Sequence, residues 1–295
     1  MNFLKIKGLY FLVSFLFLIA SLYGLFTWGL VPSIDFTGGT LLEYKSEAKF
    51  DRGKVEAILA EEEIGLKKLQ SVDSQTFLIR ARPLSKEETD SLKKTLEEKL
   101  ETELEQIRLE SVGPILGKEL LRKTATAVIL AALGILAYVA WQFKDRKFGV
   151  GAILAMFHDS VILLGSFSFL GHFQGVEVDT LFVTAVLTVL SFSVHDTVVV
   201  FDKIRENQKM SPRSDFESLA NLAIGETLVR SLNNSFTIIF MLVALLLLGG
   251  MTIKWFVAAL LIGTVAGTYS STFIAVPLLV VWHNFSEKRK NKKRK

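Results

Sequence analysis

Six apolar stretches, each long enough to cross a lipid bilayer, constrain this chain more than any other feature. A helix needs about 20 apolar residues to span the hydrocarbon core, and a chain in lipid must satisfy its backbone hydrogen bonds internally. Half of the 295 residues are hydrophobic, which is unusual for a soluble protein of this length. The sequence therefore predicts six membrane-spanning helices at about residues 9–30, 124–143, 148–170, 178–201, 228–248 and 255–282.

The distribution of lysine and arginine predicts the orientation of these spans. The loops after the second and fourth spans are basic, as are both ends of the chain, whereas the loop after the fifth has only Lys254. Because short cytoplasmic loops are enriched in basic residues, we expect a multi-pass inner-membrane protein with both termini in the cytoplasm. The first apolar run, of about 20 residues, is too long for the apolar region of a typical signal peptide, so residues 1–31 are expected to be the N-terminus and an uncleaved first span. The basic tail, residues 284–295, is expected to lie near anionic membrane lipid and not to bind nucleic acid.

A polar segment between the first two spans predicts a separate domain, residues 32–122. Strand signals occur at residues 41–44, 68–72, 76–81 and 105–111. Helices are predicted to begin after Asp51 and after Ser85, which starts a capping box. The resulting β-α-β-β-α-β order predicts a ferredoxin-like α+β extracytoplasmic domain between helices 1 and 2. It contains neither histidine nor cysteine, so we expect a binding or lever role and no enzyme activity.

The segment that joins the first span to this domain is Asp35-Phe-Thr-Gly-Gly-Thr40. Gly38 and Gly39 can adopt positive φ angles or let another backbone approach closely. No helix start with a lysine follows them, so the pattern does not predict a phosphate-binding loop. It predicts a turn that leads into a strand.

Two neighbouring spans within residues 123–283 carry the same ionisable pair, His158-Asp159 and His195-Asp196. A charge at bilayer depth costs a few kcal/mol or more, so such residues usually have a function. Histidine titrates near neutral pH, and burial disfavours a charged carboxylate, and both properties suit groups that bind and release protons. A purely structural hydrogen-bonded pair is the alternative for His158 and Asp159. His195 is interpreted as a hydrogen-bonding residue, since the spans supply no further ligands for a metal.

Arg230, near the start of the fifth span, is the one deep cation of the last three spans. The helical rise per residue places it at a depth similar to that of Asp196 on the neighbouring span. A charged pair would lower the insertion cost of each residue, and protonating Asp196 would release Arg230. The spacing therefore predicts a proton-driven switch, with a static pair that sets helix register as the alternative.

Small and polar residues mark the fifth and sixth spans. Asn233 and Asn234 lie in the fifth, and Gly263, Gly267 and Thr268 lie in the sixth. Small residues four positions apart let helices approach closely and form hydrogen bonds across the contact. These residues are expected to serve helix packing, and the same hydroxyl groups could also form a path for protons.

With these motifs the chain resembles the SecF members of the SecD/SecF family of bacterial protein-export membrane proteins, which are related to the RND transporters. The resemblance covers essentially the whole chain. It rests on Asp35–Thr40 after the first span, Ser191–Glu206 in the fourth, Arg230–Ser235 in the fifth and Gly267–Ala275 in the sixth. His158-Asp159 also fits the pattern of the third span. One departure is His195, at a position that is often asparagine in the family.

The resemblance implies an RND-like bundle in which Asp196 and Arg230 belong to a proton pathway. It implies a subunit that works with a separate SecD partner and uses the proton-motive force to draw preproteins from the SecYEG channel. No cofactor or metal is expected. Two alternatives stay open: a proton-driven RND-type exporter of small molecules or lipids, and a structural assembly subunit without proton coupling. The single outer domain speaks against the exporter, since exporters of this class normally have two.

Overall fold

The structure, a computed structural model, describes residues 2–143 and 145–294. The chain forms two compact units: a helical bundle, Met1–Val31 with Thr126–Lys295, and a polar unit, Pro32–Ala125. Met1, Lys144 of the predicted basic loop and Lys295 of the predicted basic tail lie outside the described residues.

The polar unit has the predicted β-α-β-β-α-β order and follows helix α1 (Lys7–Thr27) and a single helical turn, α2 (Ile34–Thr37). Its elements are β1 (Gly39–Ser46), α3 (Arg52–Glu61), β2 (Lys68–Ser71), β3 (Thr76–Ala81), α4 (Lys86–Leu100) and β4 (Leu104–Val112). The four strands form one antiparallel sheet in the order β2-β3-β1-β4.

The core of the polar unit lies between one face of this sheet and the two helices. Alternate residues of each strand point to the same face, so every second side chain of β1 and β3 is available to the core. The buried side chains of the core include Leu42, Tyr44, Val55, Leu59, Phe77, Ile79, Leu92 and Leu96. Helix α4 starts with the predicted capping box of Ser85 and Glu88.

The two adjacent glycines form the predicted turn into β1. Gly38 has a φ of 70° and Gly39 a φ of 140°, values that side chains rarely tolerate. A Cβ atom at Gly38 would lie 2.7 Å from Cα of Pro114, and one at Gly39 would lie 2.7 Å from the carbonyl oxygen of Ala81. The turn therefore needs glycine for both its backbone angles and its close backbone contacts.

The bundle continues with four long helices and an interrupted one. These are α5 (Pro114–Gln142), α6 (Arg146–Gln174), α7 (Thr180–Met210), α8 (Phe216–Leu248), and α9 (Met251–Ser270) joined by a π-helical segment (Ser271–Ala275) to α10 (Val276–Arg294). With α1 they give six helices, among the described residues, that are long and apolar enough to cross a membrane. The predicted number of spans is thus confirmed.

The helices extend well beyond the apolar stretches. The segment between the predicted fourth and fifth spans, from residue 202 to about residue 226, is mostly helical, because α7 continues to Met210 and α8 already begins at Phe216. Hydropathy marks only the part of a helix suited to lipid, whereas backbone hydrogen bonds continue through the polar turns at its ends.

Glycines permit the closest helix contacts of the bundle. A Cβ atom at Gly165 would lie 2.2 Å from Cβ of Ser21, and one at Gly263 would lie 2.1 Å from Cγ2 of Val189. Helix α6 therefore packs directly on α1, and α9 packs directly on α7. The second contact sets the rotation of α9 against the helix that carries His195 and Asp196.

Candidate functional site

A cavity of about 340 Å³ opens beside Asp196, between α7, α8 and the π-helical segment. Eight of the ten residues that line it have polar or charged side chains: His195, Asp196, Thr227, Arg230, Ser231, Asn234, Ser271 and Thr272. A cavity of this size, with these polar side chains in its wall, has room for several water molecules. It is therefore suited to hold hydrated or protonated groups inside the bundle.

Asp196 is half-buried in this cavity and has one direct hydrogen-bond partner among the described residues. Its Oδ2 atom accepts a hydrogen bond from Oγ of Ser231 at 3.2 Å. Arg230 lines the same cavity, but no ion pair within 4.0 Å joins it to Asp196. Successive helical residues are rotated by about 100°, so Ser231 points toward α7 and the exposed Arg230 points toward the open side.

The sequence placed Asp196 and Arg230 at similar depths on neighbouring helices, and both line one cavity in the structure. The direct contact of Asp196 is nevertheless Ser231, which sequence reasoning did not single out. The only sequence signal for Ser231 was its position next to Arg230, an arginine within a span. Which carboxylate the Ser231 hydroxyl contacts depends on the rotation of α8 about its axis, which the sequence does not give.

The open side of the cavity is unusually polar for membrane depth. His195, Arg230, Asn233 and Asn234 are all exposed in the single chain. Polar groups in contact with lipid tails are costly, so they normally face protein or water. This side of α7 and α8 therefore needs a polar cover.

A second cavity, of about 500 Å³, adjoins the first and shares Val199, Thr227 and Arg230 with it. Charged residues of α7 and α8 complete its lining: Asp202, Lys203, Glu206 and Glu226. Nζ of Lys203 lies 3.1 Å from Glu206 and 3.8 Å from Glu226. Because the cavities share walls, polar groups line a route from the charged helix ends to Asp196.

Asp159 forms a second polar centre, which the bundle encloses completely. Its exposed fraction is 0%, and that of His158 is 5%. Oδ1 of Asp159 lies 2.9 Å from Nδ1 of His158, and Oδ2 accepts a hydrogen bond from Oγ of Ser270 at 2.6 Å. Among the described residues, two buried atoms of this region lack a hydrogen-bond partner, Nε2 of His158 and Oγ of Ser193.

Gly267 lies between the two carboxylates. A Cβ atom there would be 3.6 Å from Oδ2 of Asp159, and Gly267 also lines a gap of about 10 Å³ together with Asp196. That volume is about the least that holds one water molecule. At the same gap, Oγ1 of Thr268 donates to Oγ of Ser235 at 2.6 Å. Small groups and hydroxyls thus separate the two acidic centres.

The remaining predicted site residues lie away from these cavities. Asp35, Gly38 and Gly39 belong to the polar unit and form its entry turn. In the part of the chain that the structure describes, no group of three or more histidine, cysteine or acidic residues could hold a metal ion.

Comparisons with known proteins extend these observations. The family model described as protein export membrane protein SecD/SecF, C-terminal, matches residues 92–285, and the SecD/SecF GG motif matches residues 23–49. The protein translocase subunit SecF of Thermobaculum terrenum is 42% identical over 93% of this chain and 92% of its own length. That of Pseudomonas aeruginosa is 35% identical over 97% of this chain and 92% of its own length.

Solved structures agree with the sequence relatives. The crystal structure of SecDF from Thermus thermophilus, described as a translocon-associated membrane protein, superposes with a TM-score of 0.83 at 34% identity. The match covers 96% of this chain and 39% of the SecDF chain. This chain therefore spans about two fifths of that longer protein.

Proposed function

Because the chain belongs to the SecD/SecF family, as a SecF-type multi-pass subunit of the Sec protein translocase, we propose that it couples the proton-motive force to preprotein transport through SecYEG. The observation that carries this proposal is the cavity of Asp196. A carboxylate at membrane depth has a neutral hydrogen-bond partner, Ser231, and an arginine lines the same wall without an ion pair. This arrangement can gain or lose a proton without exposing an acid to lipid.

The two protonation states of Asp196 differ in their attraction to Arg230. The ionised carboxylate attracts the guanidinium across the cavity, and protonation removes that attraction. Asp196 then keeps only its neutral contact to α8 through Ser231. Moving one charge through 100 mV supplies about 2.3 kcal/mol, which biases a conformational equilibrium of a few kcal/mol. Protonation would therefore change the packing of α7 against α8.

The enclosed centre of His158 and Asp159 is proposed as the inner part of the same pathway. Asp159 and Asp196 both adjoin Gly267. A single water in the gap beside Thr268 would contact the wall formed by Asp196, Ser235 and Gly267, and Gly267 in turn adjoins Asp159. His195, exposed at the open side of the cavity, would then exchange protons with the partner or with water.

A SecD-type partner is proposed to cover the open side of the cavity. Support comes from the exposed polar side chains of His195, Arg230, Asn233 and Asn234, which are unsuited to lipid. It also comes from the Thermus thermophilus SecDF chain, of which this chain matches about two fifths. The proton path would then lie along the seam between the two subunits.

The polar unit is proposed to act outside the cytoplasm, with both termini of the chain in the cytoplasm. Its element order and its strand order β2-β3-β1-β4 fit the split βαβ arrangement of a ferredoxin-like domain. Changes in the bundle would move this domain, which would help draw the preprotein outward. Preprotein contact is thus assigned to the polar unit and proton binding to the bundle.

Proton flux and preprotein translocation in vesicles that contain the chain, its SecD partner and SecYEG test this proposal. Asp196→Asn removes the titrating group but keeps an oxygen that can accept from Ser231. We expect it to abolish both proton flux and the proton-dependent part of translocation. Asp145→Asn is the matched control, since asparagine caps α6 as well as aspartate does. Full proton-dependent translocation in Asp196→Asn would refute the switch and favour a structural assembly role.

A further inference from the structure

An apolar groove of about 500 Å³ lies on the outside of the bundle, between the first turns of α6 and α10. The apolar side chains that define it include Leu154, Leu278, Val281, Trp282 and Phe285. Four of them keep substantial exposure, from 38% for Trp282 to 66% for Phe285. The groove shares no lining residue with the cavities around Asp196.

Lys147 gives this apolar groove a positive charge. It is half-buried in the first turn of α6 and lines the groove. Among the described residues its ammonium group makes neither an ion pair nor a hydrogen bond, because the bond to Asp145 comes from the backbone amide. A half-buried cation without a partner favours an anion from outside the chain.

One face of helix α10 carries the same combination of apolar and basic side chains. Val281 and Trp282 are followed by Phe285 and then by Lys288 and Arg289, at spacings of three and four residues. Residues with this spacing share a helix face. The face therefore changes from apolar to basic along α10, and tryptophan commonly lies at this kind of boundary, at the level of lipid headgroups.

We propose that this groove is a binding site for an anionic glycerophospholipid. An acyl chain would lie against Leu154, Val281 and Phe285, and the phosphate group would contact Lys147, with Lys288 and Arg289 adding positive potential. Charge complementarity selects this occupant, since an apolar protein surface would leave Lys147 unpaired. The inference is independent of the proton switch and stands or falls separately from it.

Fluorescence of Trp282 tests the site directly. In a variant that keeps Trp282 as its single tryptophan (Trp28→Phe, Trp141→Phe, Trp255→Phe), quenching is measured in phosphatidylcholine vesicles with a minor fraction of brominated lipid. We expect brominated phosphatidylglycerol to be enriched at Trp282 about fivefold over brominated phosphatidylcholine, the factor that one basic residue near a membrane surface supplies. Lys147→Gln should remove most of this enrichment, and the smaller contribution of Lys288 and Arg289 should remain.

The matched control is Lys209→Gln, which removes the same charge from an exposed position at the end of α7. It should keep the enrichment. Equal quenching by both lipids in the parent variant would overturn the proposal, as would equal losses in Lys147→Gln and Lys209→Gln. Lack of quenching by either lipid in the complex with the SecD partner would show a groove covered by protein and would also overturn it.

Native mass spectrometry measures lipid binding without the tryptophan replacements and serves as the test if those replacements prevent folding. The chain with all its tryptophans is purified from the same lipid mixtures, and retained phosphatidylglycerol is counted. Loss of retained lipid in Lys147→Gln but not in Lys209→Gln supports the site, and unchanged retention in Lys147→Gln refutes it.

Discussion

Asp196 accepts a hydrogen bond from Ser231 at 3.2 Å, although Arg230 is the preceding residue of α8 and lines the same cavity. The carboxylate is therefore held by a neutral group, and the guanidinium lies within reach as a second partner. Two different residues of α8 are thus available to Asp196, one for a neutral hydrogen bond and one for a charge interaction. Under the proposed switch, Ser231 would keep α7 and α8 in contact in both protonation states of Asp196, and Arg230 would respond to only one of them.

The role of Ser231 leads to a first prediction. Ser231→Ala removes the direct partner of Asp196, so we expect proton flux in vesicles to fall by about tenfold, the effect of about 1.4 kcal/mol. Ser160→Ala is the control, since that hydroxyl only donates to a carbonyl one turn earlier in α6. Equal flux in both variants would show that the hydrogen bond to Asp196 does not matter.

The enclosed centre leads to a second prediction. Ser270→Ala leaves Oδ2 of the fully buried Asp159 without its donor, which should lower the unfolding free energy by about 1–3 kcal/mol. Thermal unfolding in detergent measures this change. Ser166→Ala, whose hydroxyl bonds only to the carbonyl of Ile162, should leave the transition within experimental error. A transition for Ser270→Ala that matches the wild type would mean that Asp159 is satisfied in another way.

The contact of α9 with α7 leads to a third prediction. A methyl group at Gly263 would lie 2.1 Å from Cγ2 of Val189, so Gly263→Ala should destabilise the bundle by about 1–3 kcal/mol through overpacking. Val189→Ala removes Cγ2 and Cγ1, at 2.1 and 2.7 Å, but keeps Cβ at 2.9 Å, so the double variant should recover only part of the loss. Gly134→Ala is the control, because no atom lies within 4 Å of a Cβ atom at that position, and it should not lower the unfolding free energy. Failure of Val189→Ala to rescue would place the strain elsewhere.

The polar unit leads to a fourth prediction, on pH. The hydrogen bond from Arg82, together with the backbone amide of Ser85, lowers the pKa of Glu88 from 4.5 to about 2. A pKa that is lower in the folded state gives stability that is present above about pH 4.5 and lost as the pH falls toward 2. The protection factors of the first-turn amides of α4, which are exchange rates corrected for the intrinsic rate at each pH, should therefore fall across this window.

Glu88→Gln provides the check on that fourth prediction. It should give faster exchange at neutral pH and a flatter response to acid, because the titrating group is gone. Glu98→Gln, at an exposed position later in α4, should retain the wild-type profile. If the profile of Glu88→Gln keeps its acid dependence, another carboxylate is responsible.

The local hydropathy pattern predicts the number of membrane-spanning helices but not where each helix begins and ends. The apolar runs identified all six spans, because the lipid requirement acts on each run by itself. They did not mark the segment from residue 202 to about residue 226 as helical, whereas helix continues on both sides of residues 211–215. The β-α-β-β-α-β order was also readable, because strand and helix periods, turns and caps are local properties.

The partners of the two buried carboxylates were decided only by the tertiary structure. Composition and spacing alone placed Asp159, Asp196 and Arg230 inside the spans. That Ser231 meets Asp196 and Ser270 meets Asp159 depends on the rotation of α8 and α9 about their axes. Contacts between residues distant in sequence, such as Gly263 with Val189, set that rotation, and no short stretch of sequence contains them.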